Sequence, residues 1–167
     1  MSTAISQEYP AEKNGRYTLV LQQAMALMEG ERSPLPNMAN IAALLNGAMG
    51  GINWVGFYLL HHGELVLGPF QGKPACIRIP MGKGVCGTAA GQQKTQLVPD
   101  VHTFPGHIAC DAASRSEIVV PIMANGSVVA VLDIDSPHAA HFDEEDQAGL
   151  EAIAEALAGA CDWQTLL

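Results

Sequence analysis

Apolar positions along the chain change period twice. From Glu12 to Glu29 they recur at helical spacing, with Tyr17, Leu21, Ala24, Met25 and Met28 on one face and Gly30 as a stop, which predicts an amphipathic helix. A second helix is predicted from about Pro36 to Met49. In the middle of the chain the pattern shortens to runs of strand-forming residues: Ile52–Leu60, Glu64–Gly68, Ala75–Ile79, Thr95–Val98, Glu117–Met123 and Ser127–Asp135. Helical period returns after Phe142. Asp143 is placed to cap that helix, Glu144, Glu145 and Asp146 suit its positive first turn, and Leu150, Ile153, Ala154, Leu157 and Cys161 form one apolar stripe. Asn125-Gly126 suits a tight turn between the last two strands, and His61-His62-Gly63 links the first two. Neighbouring antiparallel strands with helices gathered at both ends predict an α+β fold, a central antiparallel sheet of about six strands with the N- and C-terminal helices over one face.

Strand parity then separates the two faces of that sheet. Val55, Phe57 and Leu59 point one way, and Trp54, Gly56 and Tyr58 the other, leaving a gap between two aromatic walls. Val128, Ala130, Leu132 and Ile134 share a face, which sends Asp133 and Asp135 to the opposite one, and Glu117 begins the strand next door. If the aromatic pair and these carboxylates share the face away from the long helices, they form a small pocket closed by the loops between Gly68 and Cys110. At this level an equal alternative stands: Trp54 and Tyr58 pack under a loop, and the aspartates only solvate strand ends.

Composition narrows the function classes. The 167 residues are 49% hydrophobic and 15% charged, which fits one domain. Acidic residues outnumber basic ones 17 to 8, and a formal charge of −9 repels phosphate backbones and anionic lipid headgroups, so neither nucleic acid nor membrane is an expected partner. Ser33 to Leu60 carries no formal charge and exceeds the about 20 residues of a bilayer span, but Asn37, Asn40, Asn46 and Asn53 and the Gly50-Gly51 break argue against one. The N-terminal stretch lacks the basic start and apolar segment of a signal peptide, which points to the cytoplasm. Four cysteines are too few to staple a secreted fold. In a reducing compartment any disulfide among them is transient, and catalytic or sensing.

Three of the four cluster: Cys76, Cys86 and Cys110 fall in or beside the loop-rich middle, whereas Cys161 lies on the apolar stripe of the last helix as an inert core residue. Cys86 follows a flexible Met81-Gly82-Lys83-Gly84-Val85 lead into a short helix. Cys110 sits in a polar loop where His107 or Arg115 would lower its thiol pKa and Asp111 would raise it. Zinc is considered because His102 and His107 lie near Cys110, but no C-x-x-C or H-x-x-x-H pair anchors a site, and no metal is expected. On the residues alone, plain core cysteines remain an open alternative.

The chain also resembles a known family. Trp54-Val55-Gly56-Phe57-Tyr58, Gly68-Pro69-Phe70-Gln71-Gly72-Lys73-Pro74-Ala75-Cys76, Gly84-Val85-Cys86-Gly87-Thr88-Ala89, Val98-Pro99-Asp100-Val101-His102, His107-Ile108-Ala109-Cys110, Ser116-Glu117-Ile118-Val119-Val120-Pro121 and Leu132-Asp133-Ile134-Asp135-Ser136 are similar to the free methionine-(R)-sulfoxide reductases, which are single GAF domains. The resemblance implies one GAF domain over residues 1–167, with 1–12 a loosely ordered lead-in and a loop-covered pocket on the sheet face opposite the helices. It places the catalytic cysteine on Cys110, the resolving cysteine on Cys86 and an additional redox cysteine on Cys76. Substrate-contacting aromatics fall on Trp54 and Tyr58, and binding or proton-donating carboxyls on Glu117, Asp133 and Asp135, with Asp135 or Glu117 favoured as the acid. The implied activity is reduction of free methionine (R)-sulfoxide without a bound cofactor, a thioredoxin-type dithiol supplying electrons. A non-catalytic GAF module that binds a small ligand or senses oxidation is the rival, and the choice between monomer and homodimer stays open.

Overall fold

The sheet consists of β1 (Trp54–His61), β2 (Glu64–Gly72), β3 (Arg78–Pro80), β4 (Gln96–Val98), β5 (Ser116–Ala124) and β6 (Ser127–Ser136), all antiparallel in the order β3-β2-β1-β6-β5-β4. Among the described residues four α-helices accompany it: α1 (Lys13–Leu27), α2 (Pro34–Ala48), α3 (Gly84–Gln92) and α4 (Glu144–Ala160). The structure, a computed structural model, describes residues 8–165, so the expectation for residues 1–7 lies outside the described residues. The α+β class and the six-stranded antiparallel sheet are those expected. Among the described residues no helix is long and apolar enough to cross a membrane.

Two tight turns set the hairpins. Asn125 and Gly126 have φ of 51° and 76°, and His62 and Gly63 have 49° and 81°. Both pairs take the left-handed conformation that matches the twist of two-residue hairpins, which glycine adopts without strain and asparagine tolerates.

Residues Val55, Phe57, Ile118, Val120, Leu132 and Ile134 form the inner face, packed against Val20 and Ala24 of α1, Met38, Ile41 and Leu45 of α2, and Leu150, Ile153 and Leu157 of α4. The opposite face carries a second apolar cluster in which Val85, Ala89 and Ala90 of α3 meet Tyr58, Leu65, Ile79, Val119 and Val131. This second layer shuts water out of the face where the polar candidates stand.

Two sequence expectations need correction. Met25 is 57% exposed, and Val20 takes its place in the core with Tyr17, Ala24 and Met28. At about 100° per residue Met25 stands about 80° from Tyr17 on the side away from Val20, so the apolar stripe is centred one step over. Val128 joins the outer cluster instead of sharing a face with Ala130. The β5–β6 register shifts between Ile122 and Met123, pairing them with Ala130 and Val128, and the extra residue of this bulge reverses side-chain parity.

One polar cluster ties α1 to the start of α4. Tyr17 donates its hydroxyl to Asp146 Oδ1 at 2.8 Å, and Lys13 Nζ reaches Asp146 Oδ2 at 2.6 Å and Asp143 Oδ2 at 2.7 Å. Asp143 and Asp146 also form a reciprocal capping box at the start of α4. Residues 8–12 take part in this region: Tyr9 donates to Gln23 at 3.0 Å, and Glu12 caps α1 by accepting from the Gly15 amide.

Gly149 of α4 lies against the Tyr17 ring, and a Cβ there would stand 2.6 Å from Cδ1. Alanine ordinarily gains about 1 kcal/mol over glycine inside a helix, while overpacking a core costs typically about 1–3 kcal/mol. The hydroxyl bond to Asp146 holds the ring in place, so the clash wins. Gly149→Ala is expected to lower stability by about 1 kcal/mol in urea unfolding, and a stabilised variant would show that the ring moves aside.

Candidate active site

Antiparallel register assembles the site in rows. Glu117, Asp135 and Trp54 are direct partners across β5, β6 and β1, followed by Val119, Asp133 and Gly56, and then by Val131 opposite Tyr58. Directly opposed residues share a sheet face, so both aromatics and all three carboxyls point the same way, under α3 and the loops. The Trp54 and Tyr58 rings stack with centroids 5.9 Å apart, and Phe70 stacks on Trp54 at 5.3 Å. Gly56 makes room between them, because a Cβ there would lie 2.7 Å from Trp54 Cη2. Trp54 Nε1 donates to the Lys73 carbonyl at 3.1 Å, and the Tyr58 hydroxyl donates to the Cys76 carbonyl at 2.9 Å. The aromatic pair therefore pins the segment that carries Cys76.

Trp54 and Tyr58 line a cavity of about 530 Å³, counted out to its open mouth, together with Cys86, Cys110, Glu117, Asp133 and Asp135. Cys110 and Cys76 form a disulfide where the segments before β3 and before β5 meet. Cys86, in the first turn of α3, is a free buried thiol with Sγ 4.0 Å from Glu117 Oε1. The resemblance implies Cys86 as the partner of Cys110; the pairing found is with Cys76. Cys161 lies apart at the end of α4, buried, accepting from Asn37 Nδ2 at 3.4 Å. His102 turns to Asp100 at 3.0 Å on the surface, so His102, His107 and Cys110 form no ligand set.

Four further polar lining residues escape the strand pattern: Lys73, His107, Asp111 and Ser114. All sit in loops whose convergence has no periodic signal. Asn53 Nδ2 reaches Asp111 Oδ2 at 3.1 Å and Ser114 Oγ at 3.2 Å, fastening the loop after Cys110 to the lead into β1.

Burial and mutual repulsion set the protonation states. Glu117 is held well above the usual carboxyl range by burial and by the charges of Asp133 and Asp135. Asp135 is likewise raised by burial and by Asp133, against a hydrogen bond from Ser114. Burial pushes Asp133 up to about 6, less far because interactions with Glu117 and Cys86 favour its charged form. The Cys86 thiol is pushed well up by burial first and then by the three carboxyls, which keeps it neutral. Burial also lowers the pKa of His107, so its 3.9 Å approach to Glu117 Oε2 joins two neutral groups and supplies no imidazolium to a neighbouring thiol. Asp111 stays ionised because the Ala113 amide donates to it and Asn53 and Lys73 lie near.

A family model described as a GAF domain matches residues 34–161. The free methionine-R-sulfoxide reductase of Escherichia coli is 54% identical over 132 residues, 79% of this chain and 80% of that protein. The chain belongs to the free methionine-R-sulfoxide reductase family. The Saccharomyces cerevisiae reductase of the same name is 46% identical over 143 residues, covering 81% of this chain and 79% of that one. The crystal structure of free methionine-R-sulfoxide reductase from Neisseria meningitidis in complex with its substrate superposes with a TM-score of 0.88 at 44% identity, over 93% of this chain and 95% of the other. In this reductase-family chain the cavity therefore belongs to a fold solved elsewhere with substrate bound.

The raised carboxyls carry a stability signature. Between about pH 4, the ordinary carboxyl range, and about 6, folded Asp133 keeps a proton that the unfolded chain has lost. The folded state then binds more protons, so this group lowers stability as pH rises through that window. Asp133→Asn is expected to flatten that decline and to gain on the order of 1–3 kcal/mol near pH 7 relative to the parent chain. Urea unfolding at a series of pH values checks this, and parallel profiles would remove Asp133 from the buried set.

Proposed function

We propose that the protein reduces the R epimer of free methionine sulfoxide to methionine. The observation that carries this reading is a disulfide-forming Cys110 bordering a cavity that also holds stacked aromatics and protonated carboxyls. A sulfoxide sulfur is electrophilic but its oxygen leaves poorly, so reduction needs a thiolate and a proton donor together. In the proposed cycle the Cys110 thiolate attacks sulfur while Glu117 or Asp135 protonates the oxygen. The hydroxyl passes to Cys110, releasing methionine and leaving a sulfenic acid. Cys76 then attacks that sulfur, water departs, and the Cys76–Cys110 disulfide forms; an external thioredoxin-type dithiol of the cytosol reduces it.

Resolution by Cys76 is supported by the pairing itself, and the neutral, buried Cys86 suits neither nucleophile nor resolver in this scheme. Trp54 would face the S-methyl end, and the remaining carboxylates, chiefly Asp133, would hold the substrate ammonium. A blocked amine removes that charge, which accounts for selection of the free amino acid. A purely ligand-binding module leaves a disulfide beside the cavity without a use.

Reduced protein is expected to turn over free methionine (R)-sulfoxide and to leave the S epimer and N-acetylated forms nearly untouched, read by chiral separation of residual substrate. Equal activity on blocked substrates would sink the ammonium site. In single-turnover assays Cys110→Ser is expected to release no methionine, whereas Cys76→Ser releases about one per chain and stalls before a disulfide forms. Glu117→Gln and Asp135→Asn are expected to slow methionine release, by on the order of 100- to 10,000-fold for whichever is the acid. Asp133→Asn should instead weaken substrate binding. Methionine release by Cys110→Ser would reassign the nucleophile.

A further inference from the structure

The proposed cycle uses Cys110 and Cys76 and leaves two buried thiols without a task, of which Cys86 alone lines the cavity. Cys86 Sγ, a carboxyl oxygen of Glu117 and one of Asp133 lie within 4.8 Å of one another, and all three residues are buried. Asp133 Oδ1 is buried and has no hydrogen-bond partner, which leaves this carboxyl with an unsatisfied acceptor. His107 lines the same cavity with Nε2 3.9 Å from Glu117 Oε2.

We propose that the cavity floor is a Zn²⁺ site, with the Cys86 thiolate and the Glu117 and Asp133 carboxylates as ligands and His107 Nε2 as the fourth. The donor set selects the ion. One sulfur, one imidazole nitrogen and two carboxylates suit tetrahedral Zn²⁺, whereas Mg²⁺ and Ca²⁺ prefer all-oxygen shells of six or more. Zn–S bonds of about 2.3 Å and Zn–O bonds of about 2.0–2.2 Å place tetrahedral ligands nearer to one another than the 4.8 Å limit that Cys86, Glu117 and Asp133 share, so occupancy requires these side chains and the His107 ring to rotate inward. Charge argues the same way. Lys73 is the sole Lys or Arg among the lining residues, so no other permanently cationic side chain lines the cavity beside the three carboxyls. A dication displaces the thiol proton and the carboxyl protons and neutralises most of the resulting charge.

A second part of the inference rests on the proposed reductase reading: Zn²⁺ and the substrate ammonium compete for Asp133 and Glu117 and exclude one another. The metal then acts as an inhibitor and takes no part in turnover.

The test uses the full chain with its Cys76–Cys110 disulfide intact, so that neither of those sulfurs can bind metal. Titration with Co²⁺, a spectroscopic stand-in for Zn²⁺, is expected to saturate at one equivalent with a thiolate-to-cobalt charge-transfer band, which Zn²⁺ bleaches. Cys86→Ser should lose the band and Cys161→Ser should keep it. Glu117→Gln and Asp133→Asn should each weaken binding by more than the about 10- to 100-fold typical of losing an outer partner of a metal ligand, which decides the matter if Cys86→Ser does not fold. Free methionine should raise the apparent Kd in proportion to its concentration. No saturable binding, or a band that survives in Cys86→Ser, overturns the site. Metal binding that methionine does not affect overturns the competition. Failure of metal-free protein to reduce the sulfoxide would count against the reductase reading alone.

Discussion

Three carboxyl groups buried side by side on one sheet face cannot all be ionised, and much of the molecule follows from that constraint. The rows Glu117–Asp135–Trp54 and Val119–Asp133–Gly56 bring the carboxyls within reach of one another. The covering layer of α3 and the stacked aromatics keeps out the water that would otherwise screen them. Under those conditions the favourable response is to retain protons, which is why Glu117 and Asp135 sit far above the ordinary carboxyl range. Holding such groups is costly to stability. The apolar face directly behind them, packed on three helices, supplies the offset.

What the sequence made legible and what it hid divide along the same physical line. Side-chain alternation is a property of the strand backbone alone, so the split of Trp54 and Tyr58 from Val55 and Phe57, and of Asp133 and Asp135 from Leu132 and Ile134, was readable from spacing. Its failure at Val128 came from one extra residue in β6, set by the turn and the neighbouring strand. The aromatic and acidic residues meet because β1 pairs with β6, a long-range choice that parity permits without dictating. Lys73 and Ser114 were hidden because loops carry no period, and His107 and Asp111 were legible only as chain neighbours of Cys110. The partner of Cys110 was hidden for a related reason: which of two cysteines reaches it depends on how the segment before β3 is pinned, and the Tyr58 and Trp54 hydrogen bonds that pin it are tertiary. Family resemblance supplied the residue roles, and it implied Cys86 where the fold brings Cys76.

That substitution has a physical rationale. A field that keeps carboxyls protonated also keeps a nearby thiol protonated, and Cys86, 4.0 Å from Glu117, is subject to it fully. A thiol that must become a thiolate is better placed elsewhere. Cys110 and Cys76 occupy half-buried loop positions near the mouth, where solvent stabilises charge and an external dithiol has access. The proposed cycle thereby separates acid chemistry from thiolate chemistry across one cavity, the floor donating protons and the rim exchanging electrons. A bound sulfoxide would span the two in that cycle, its oxygen toward the carboxyls and its sulfur toward Cys110. In the proposed reaction, burial of the floor and exposure of the rim are therefore two halves of one requirement, because the proton must be held until the thiolate arrives.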